Sequence, residues 1–375
     1  MQVGIYIHIP FCIRKCNYCD FLSGSSNKEE RKTYTKVLID EIKRRSIAYK
    51  NDTVPTVFIG GGTPTCLEVD CLEEIIDTVQ NCFTLKENTE ISMELNPGTV
   101  TKESLIRYKQ MGINRLSIGL QSTIDEELRL LGRIHTYEDF KICYQQIREV
   151  GFSNVNIDLM SGLPNQTLEG FRQTLERVVL LKPEHISAYS LIIEEGTPFY
   201  EKYQDFYSEE QEEMDRNIYH FTKSYLKEHG YERYEISNYA KPGYESRHNS
   251  SYWTGVPYLG FGLGASSYEI VNNQYMRSSN ARTFKDYKEQ KLEEYEVLSL
   301  ENRMEEFMFL GLRMMRGIAI DAFYNHFGKD IESIYGKVIN ELSNQNLIEK
   351  SQNYYRLTEY GIDVSNYVLA QFLLV

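Results

Sequence analysis

From residue 3 to about residue 192, short β-branched runs alternate with amphipathic stretches, and this alternation restricts the chain to a few architectures. The candidate strands span residues 3–9, 56–60, 91–95, 115–120, 154–160 and 185–191. Helix-like segments lie between them at 29–49, 67–82, 102–111, 137–150 and 168–181. Strand followed by helix at roughly 30-residue spacing is the pattern of right-handed βαβ units around a parallel sheet. Six units are present, too few for a closed eight-stranded barrel, so periodicity leaves a doubly wound sheet and a barrel fragment both open.

At 375 residues the chain has room for one large domain and a smaller one. Its 41 Lys+Arg against 54 Asp+Glu give a net charge of −13, which argues against nucleic acid as a partner. No apolar run approaches the ~18 residues of a membrane span, and the N-terminus lacks a basic-then-apolar signal. The expectation is a cytoplasmic protein. The 29 tyrosines and 17 phenylalanines against one tryptophan indicate packing surface or a flat aromatic ligand.

Seven cysteines make an odd count, and three of them, Cys12, Cys16 and Cys19, stand close together. That argues for a reducing compartment and a metal rather than a disulfide framework. The C-x3-C-x2-C spacing directly follows the first β-branched run, Tyr6-Ile7-His8-Ile9-Pro10-Phe11. If the segment folds back as a loop, the thiolates converge on a soft centre, and an iron-sulfur cluster is the natural occupant. Three thiols on a four-iron cluster leave one iron open, much as catalytic zinc sites keep a position for substrate. Buried or zinc-binding cysteines are the alternative; His8 could supply a fourth zinc ligand, but it sits in the strand-like run.

Parallel β/α folds gather functional groups at the C-terminal ends of their strands, and the unusual residues fall there. After the second strand come Gly60, Gly61, Gly62, Thr63, Pro64 and Thr65, where absent side chains permit close backbone approach and Thr65 could cap the next helix. A tight strand-to-helix turn explains the same glycines. Glu94 lies among apolar neighbours before Asn96-Pro97-Gly98, and Gln121 closes the fourth strand. Asp158 sits inside the apolar fifth strand, where a carboxylate needs a partner; Arg133 is the obvious candidate. His135 is left as a structural histidine.

The three-cysteine loop with an aromatic at Tyr18 resembles the radical S-adenosylmethionine (SAM) superfamily. The run from Tyr6 to Cys12 narrows the resemblance to the branch that holds oxygen-independent coproporphyrinogen III dehydrogenase (HemN) and the haem chaperone HemW, and it extends over nearly the whole chain. It implies a partial (β/α)6 barrel in residues 1–230 and a [4Fe-4S] cluster on Cys12, Cys16 and Cys19. The open iron would bind the amino and carboxylate groups of SAM, and an electron from the cluster would cleave SAM to a 5'-deoxyadenosyl radical. By the same match Glu94, Gln121, Arg133 and Asp158 contact SAM, with Tyr6, Tyr18, Gly61, Gly62, Thr63 and Ile192 completing the pocket. An electron donor such as a flavodoxin or ferredoxin is implied.

Past the barrel, residues 209–227 have helical spacing, 231–240 reads as a strand and Lys241-Pro242-Gly243 as a turn. Residues 231–294 are taken as a linker or β extension. They carry Arg247-His248-Asn249-Ser250-Ser251-Tyr252-Trp253, whose HNxxYW pattern resembles the HemW type within the branch. The resemblance makes His248 a candidate axial haem ligand with Tyr252 and Trp253 as walls; a histidine hydrogen-bonded in a packed loop is the alternative. Residues 295–375 form a separate, mostly helical unit: helices at 301–315, 321–327 and 331–345, a small hairpin at 347–357 and a last helix. A winged-helix DNA binder could look similar, but the charge disfavours it. The family's corresponding domain is expected to cover the substrate side of the barrel.

Two functions share this framework. One is a haem chaperone that carries the SAM-liganded cluster and passes haem to an acceptor protein, which could be membrane-associated. The other is the dehydrogenase, which converts propionates to vinyl groups. The dehydrogenase has a further cysteine two positions after the third cluster thiol, where this chain has Phe21, and it lacks the HNxxYW stretch. Both differences favour the chaperone. A radical SAM methyltransferase or haem-degrading relative is a third reading.

Overall fold

A computed structural model describes residues 1–204, 206 and 208–374. Strand β1 (Gly4–Ile9) leads to α1 (Lys28–Ser46), followed by β2 (Thr53–Gly61), α2 (Val69–Cys82), β3 (Thr84–Leu95), α3 (Lys102–Gln110) and β4 (Arg115–Gln121). Then come α4 (Asp125–Leu130), α5 (Tyr137–Val150), β5 (Val155–Ser161), α6 (Leu168–Leu180) and β6 (His185–Ser190). Helix starts are capped locally. Asn27 and Glu30 form a reciprocal capping box on α1, Thr101 and Ser104 on α3, and Thr136 and Asp139 on α5. Thr65 does not cap: Glu68 stands before α2, and the Thr65 hydroxyl instead meets that of Thr99 at 2.5 Å.

β1 to β6 pair in order and all in parallel. The six strands are a (β/α)6 arc that does not close. The remainder of the sheet extends both of its edges rather than forming a separate linker. On the β6 side lie α7 (Pro198–Lys202), α8 (Glu209–Glu228) and the antiparallel pair β7 (Glu232–Arg233) and β8 (Asn238–Ala240). The single strand expected over 231–240 is therefore a hairpin of two short strands, broken where Glu235 turns inward and accepts from the Ser237 backbone N–H at 2.9 Å. On the β1 side, α9 (Arg247–Trp253) precedes β9 (Tyr258–Phe261), which pairs with β1 in parallel. β10 (Ser266–Val271), β11 (Gln274–Asn280), α10 (Phe284–Lys288) and β12 (Leu292–Val297) complete a twelve-stranded sheet.

Each barrel strand has two faces, because side chains alternate. In β5, Val155, Ile157 and Leu159 pack outward under the helices, whereas Asn156, Asp158 and Met160 line the interior. In β4, Leu116, Ile118 and Leu120 pack outward and Arg115, Ser117, Gly119 and Gln121 inward. The apolar runs thus conceal a polar interior row.

The C-terminal unit contains α11 (Leu300–Gly311), β13 (Ile318–Ala319), α12 (Ile320–Phe327), α13 (Ile331–Asn344), β14 (Ile348–Ser351), β15 (Tyr354–Leu357), α14 (Glu359–Asp363) and α15 (Ser365–Ala370). The expected last helix is two short ones. Met308, Phe323, Tyr335, Val368 and Phe372 centre a core of their own. The unit docks on α8, the β7–β8 hairpin and α9: His220 meets Asp363 at 3.1 Å, Arg233 meets Glu359 at 3.1 Å, and the Arg313 guanidinium lies 4.5 Å from the Trp253 ring centre. Among the described residues none of this unit lines the barrel cavity.

Candidate functional site

A cavity of about 620 Å³ opens at the C-terminal ends of the barrel strands. Cys12, Cys16 and Cys19 lie on its wall, half-buried and unpaired. Their loop is pinned to the barrel from several sides. Cys12 N–H donates to Gly24 O at 2.9 Å, Gly62 N–H to Ile9 O at 2.8 Å, Thr63 N–H to Phe11 O at 2.7 Å, and Asn17 N–H to Leu131 O at 2.9 Å. Gly62 is required by contact: a Cβ there would stand 2.7 Å from Phe11 O and 3.0 Å from Cys12 Sγ. His8 is not free to join the thiols. Its Nε2–H donates to Leu22 O at 2.9 Å, which leaves Nδ1 to accept from Tyr6 Oη at 2.9 Å.

Tyr6, Tyr18, Gly61, Gly62, Thr63, Glu94, Gln121, Arg133, Asp158 and Ile192 all line this same cavity. Glu94 Oε2 accepts from Gly61 N–H at 3.1 Å, and Asn96 Nδ2 donates to Thr63 Oγ1 at 2.8 Å. Gln121 holds φ at +75°, a left-handed conformation rare for a side chain of this kind. Burial, reinforced by the charge of Asp158, pushes the Glu94 carboxyl up to about 8. Burial also raises Asp158 and the Cys19 thiol.

Asp158 and Arg133 are not an ion pair. Asp158 takes Asn156 Nδ2 at 2.7 Å and Ser117 Oγ at 3.1 Å, neutral donors supplied by the inward rows of β5 and β4. Arg133 spends its guanidinium on Asn96 Oδ1, the Gly119 carbonyl and, at 3.6 Å, Cys16 Sγ. Its place is therefore beside the cysteine loop. His135 is buried and held down to about 4 by burial and the neighbouring Arg133 charge, and its Nε2 has no hydrogen-bond partner among the described residues.

Among the cavity residues that the sequence reading did not single out, Arg115 stands apart. Arg115 is 1 % exposed, opens the inward row of β4, and its Nε has no hydrogen-bond partner among the described residues. A buried guanidinium without a full set of acceptors is costly unless a ligand supplies them. Its position at the first residue of a strand gives a sequence signal only once the inward row is known.

The helix α9 divides the HNxxYW residues. His248 and Tyr252, four apart, share a face toward the barrel cavity, with His248 Nε2 2.8 Å from Tyr252 Oη and Nδ1 3.0 Å from Thr56 Oγ1. Burial drives His248 down to about 3. Trp253, one residue on, is rotated about 100° away and faces a second cavity of about 890 Å³ between β9–β11 and the C-terminal unit. Tyr252 borders both cavities, but Trp253 does not share a pocket with His248.

The residues present fit an iron-sulfur cluster: three accessible thiols on one loop, an adjacent cavity and no bulk at Gly62. Among the described residues no three ligating side chains converge on a single-ion position, and a cluster does not ask this of thiols that each take a different iron.

Comparison with known proteins agrees with this geometry. Residues 6–178 match the radical SAM superfamily and residues 298–364 the HemN C-terminal domain. The fold matches coproporphyrinogen III oxidase (HemN) from Escherichia coli with a TM-score of 0.85 over 99% of this chain and 90% of that one, at 23% identity. The chain is thus a radical SAM protein of HemN-like architecture, a class that implies a [4Fe-4S] cluster and SAM. Within it, the heme chaperone HemW of Bacillus subtilis is 35% identical over 98% of both chains. The Escherichia coli heme chaperone HemW is 32% identical over 99% of this chain and 98% of its own. The chain belongs to the HemW family.

Proposed function

We propose that this protein binds haem and passes it to an acceptor protein, as a HemW-type haem chaperone working in the cytoplasm. The observation that carries the reading is the similarity to proteins named heme chaperone over 98–99% of this chain and 98% of theirs. Residues 1–230 would hold the cluster and SAM, residues 231–294 the haem-contacting helix α9, and residues 295–375 a lid against α9.

Cys12, Cys16 and Cys19 would hold the cluster. When bound, cluster and SAM supply one-electron reductive cleavage, given an electron donor such as a flavodoxin or ferredoxin. Around them Glu94 and the Gly61–Thr63 turn would receive the amino end of SAM, Arg133 would balance thiolate charge at Cys16, and Arg115 would meet an anionic group. Gln121, Asp158, Tyr6, Tyr18 and Ile192 would complete the walls. Phe21 stands on the cavity rim where the dehydrogenase has its additional cysteine, which supports chaperone over dehydrogenase. For the haem iron the sequence points to His248 with Tyr252 as its wall, whereas Trp253, the other wall that the sequence suggested, faces the second cavity. Use of His248 as a ligand requires Tyr252 to release Nε2.

The test is anaerobic reconstitution followed by titration of one portion with haem and incubation of another with reductant, SAM and coproporphyrinogen III, with mass spectrometry of the products and 5'-deoxyadenosine as the internal control. Haem bound to the chain and no decarboxylated porphyrinogen is the expected result. Vinyl products at catalytic turnover would make the protein a dehydrogenase.

A further inference from the structure

The second cavity has no part in holding the cluster, yet at about 890 Å³ it is larger than the barrel cavity. Its size lies within the range of small-molecule sites. Aromatic rings dominate its walls: Tyr275 from β11, and Phe307 and Phe327 from α11 and α12, join Trp253. Such walls suit a broad, flat, apolar ring system.

Its charge is equally one-sided. Arg277, Arg303 and Arg316 face a single acid, Glu306, leaving a surplus of two positive charges. Arg277 and Glu306 neutralise each other at 2.8 Å. Arg303 has no carboxylate partner among the described residues and lies over Tyr275, its Cζ 3.4 Å from the ring centre. Arg316 is exposed and likewise makes no ion pair among the described residues. The N-terminal ammonium at the rim is already paired with Asp52 at 2.7 Å. Two unmatched guanidinium groups beside an aromatic slot complement a flat ring bearing two carboxylates.

An imidazole completes the set. His326, near the end of α12, lines the cavity with its ring centre 5.3 Å from that of Phe307. Its Nδ1–H donates to Ala322 O at 2.9 Å, which places the lone pair on Nε2 in the neutral ring. A histidine whose Nδ1–H is held by a carbonyl is the form that ligates metals. His248 offers the contrary arrangement, with both ring nitrogens engaged inside the barrel.

We infer that the second cavity is the seat of haem, with Arg303 and Arg316 toward the propionates and His326 Nε2 toward the iron. This placement depends on the haem-binding reading above. It keeps haem apart from the cluster and SAM, with Tyr252 as the wall between them.

The test is titration of the full chain with ferric haem, read by the Soret band, with and without the reconstituted cluster and SAM. Cluster and SAM should not compete with haem. His326→Ala should shift the Soret band and weaken binding about tenfold, the scale of losing an ordered metal contact. Arg316→Glu, at an exposed position where folding is not at stake, should weaken binding by roughly threefold or more. That difference should vanish with haem dimethyl ester, whose propionates carry no charge. If His326→Ala and Arg316→Glu bind as wild type while His248→Ala loses the band, haem sits on the barrel side and the inference is wrong. A wild-type chain that takes up no ferric haem would refute the haem-binding reading itself.

Discussion

Gly62→Ala isolates how closely the cysteine loop must approach the end of β2. Gly62 has no positive φ, so alanine meets no backbone penalty and its effect is contact alone. The new Cβ would lie 2.7 Å from Phe11 O, 3.0 Å from Ile9 O and 3.0 Å from Cys12 Sγ. Two of these are backbone atoms that cannot rotate aside, and both accept the hydrogen bonds from Gly62 and Thr63 that hold the loop. Overpacking of this kind costs ~1–3 kcal/mol and a weakened hydrogen bond ~0.5–1.5 kcal/mol. A total of about 2–4 kcal/mol displaces the docked loop by roughly 30- to 1,000-fold. The assay is iron and sulfide per chain after anaerobic reconstitution, with Tm of the cluster-free chain alongside. Cluster content should fall by more than half while the fold persists. Gly24→Ala is the control: it sits in the same loop, and a Cβ there meets nothing within 4 Å. Full cluster content in Gly62→Ala, equal to Gly24→Ala, would refute the reasoning.

Glu94 binds its proton more tightly folded than unfolded, so the ligand-free chain should lose stability as pH rises from about 4.5 to about 8. Tm against pH should show that slope in wild type and not in Glu94→Gln, and SAM affinity should rise over the same window in wild type alone. Arg115→Met removes a buried charge whose Nε lacks an acceptor; Tm of the ligand-free chain should hold or rise, while SAM affinity measured by equilibrium dialysis falls at least several-fold. Alkylation of the cluster-free chain mapped by mass spectrometry should mark Cys12, Cys16 and Cys19 before Cys143, whose buried thiol is pushed up to about 12. Cys16→Ala should abolish the brown absorbance of the reconstituted protein, and retained cluster iron would exclude Cys16 as a ligand.

The sequence by itself determined the order of the six barrel strands and the five helix segments between them, and the place of the cysteine loop after β1. Those features are local: period-two and period-3.6 patterns, capping residues and three thiols within eight positions all act through neighbours in the chain. Glu94, Gln121 and Asp158 were legible because a polar residue inside or at the end of an apolar strand is conspicuous. The tertiary structure decided what depends on residues distant in sequence. It gave Asp158 neutral donors from its own and the adjacent strand and kept Arg133 for the cysteine loop, since strand register sets which inward groups meet. It put Arg115 in the cavity by the parity of its strand position. It also turned the HNxxYW stretch into a helix, and four residues against five around that helix separated Tyr252 from Trp253 and made two cavities of one motif. The arginines and the histidine of the second cavity come from β11, α11, α12 and the segment after α11, which meet only when the C-terminal unit docks.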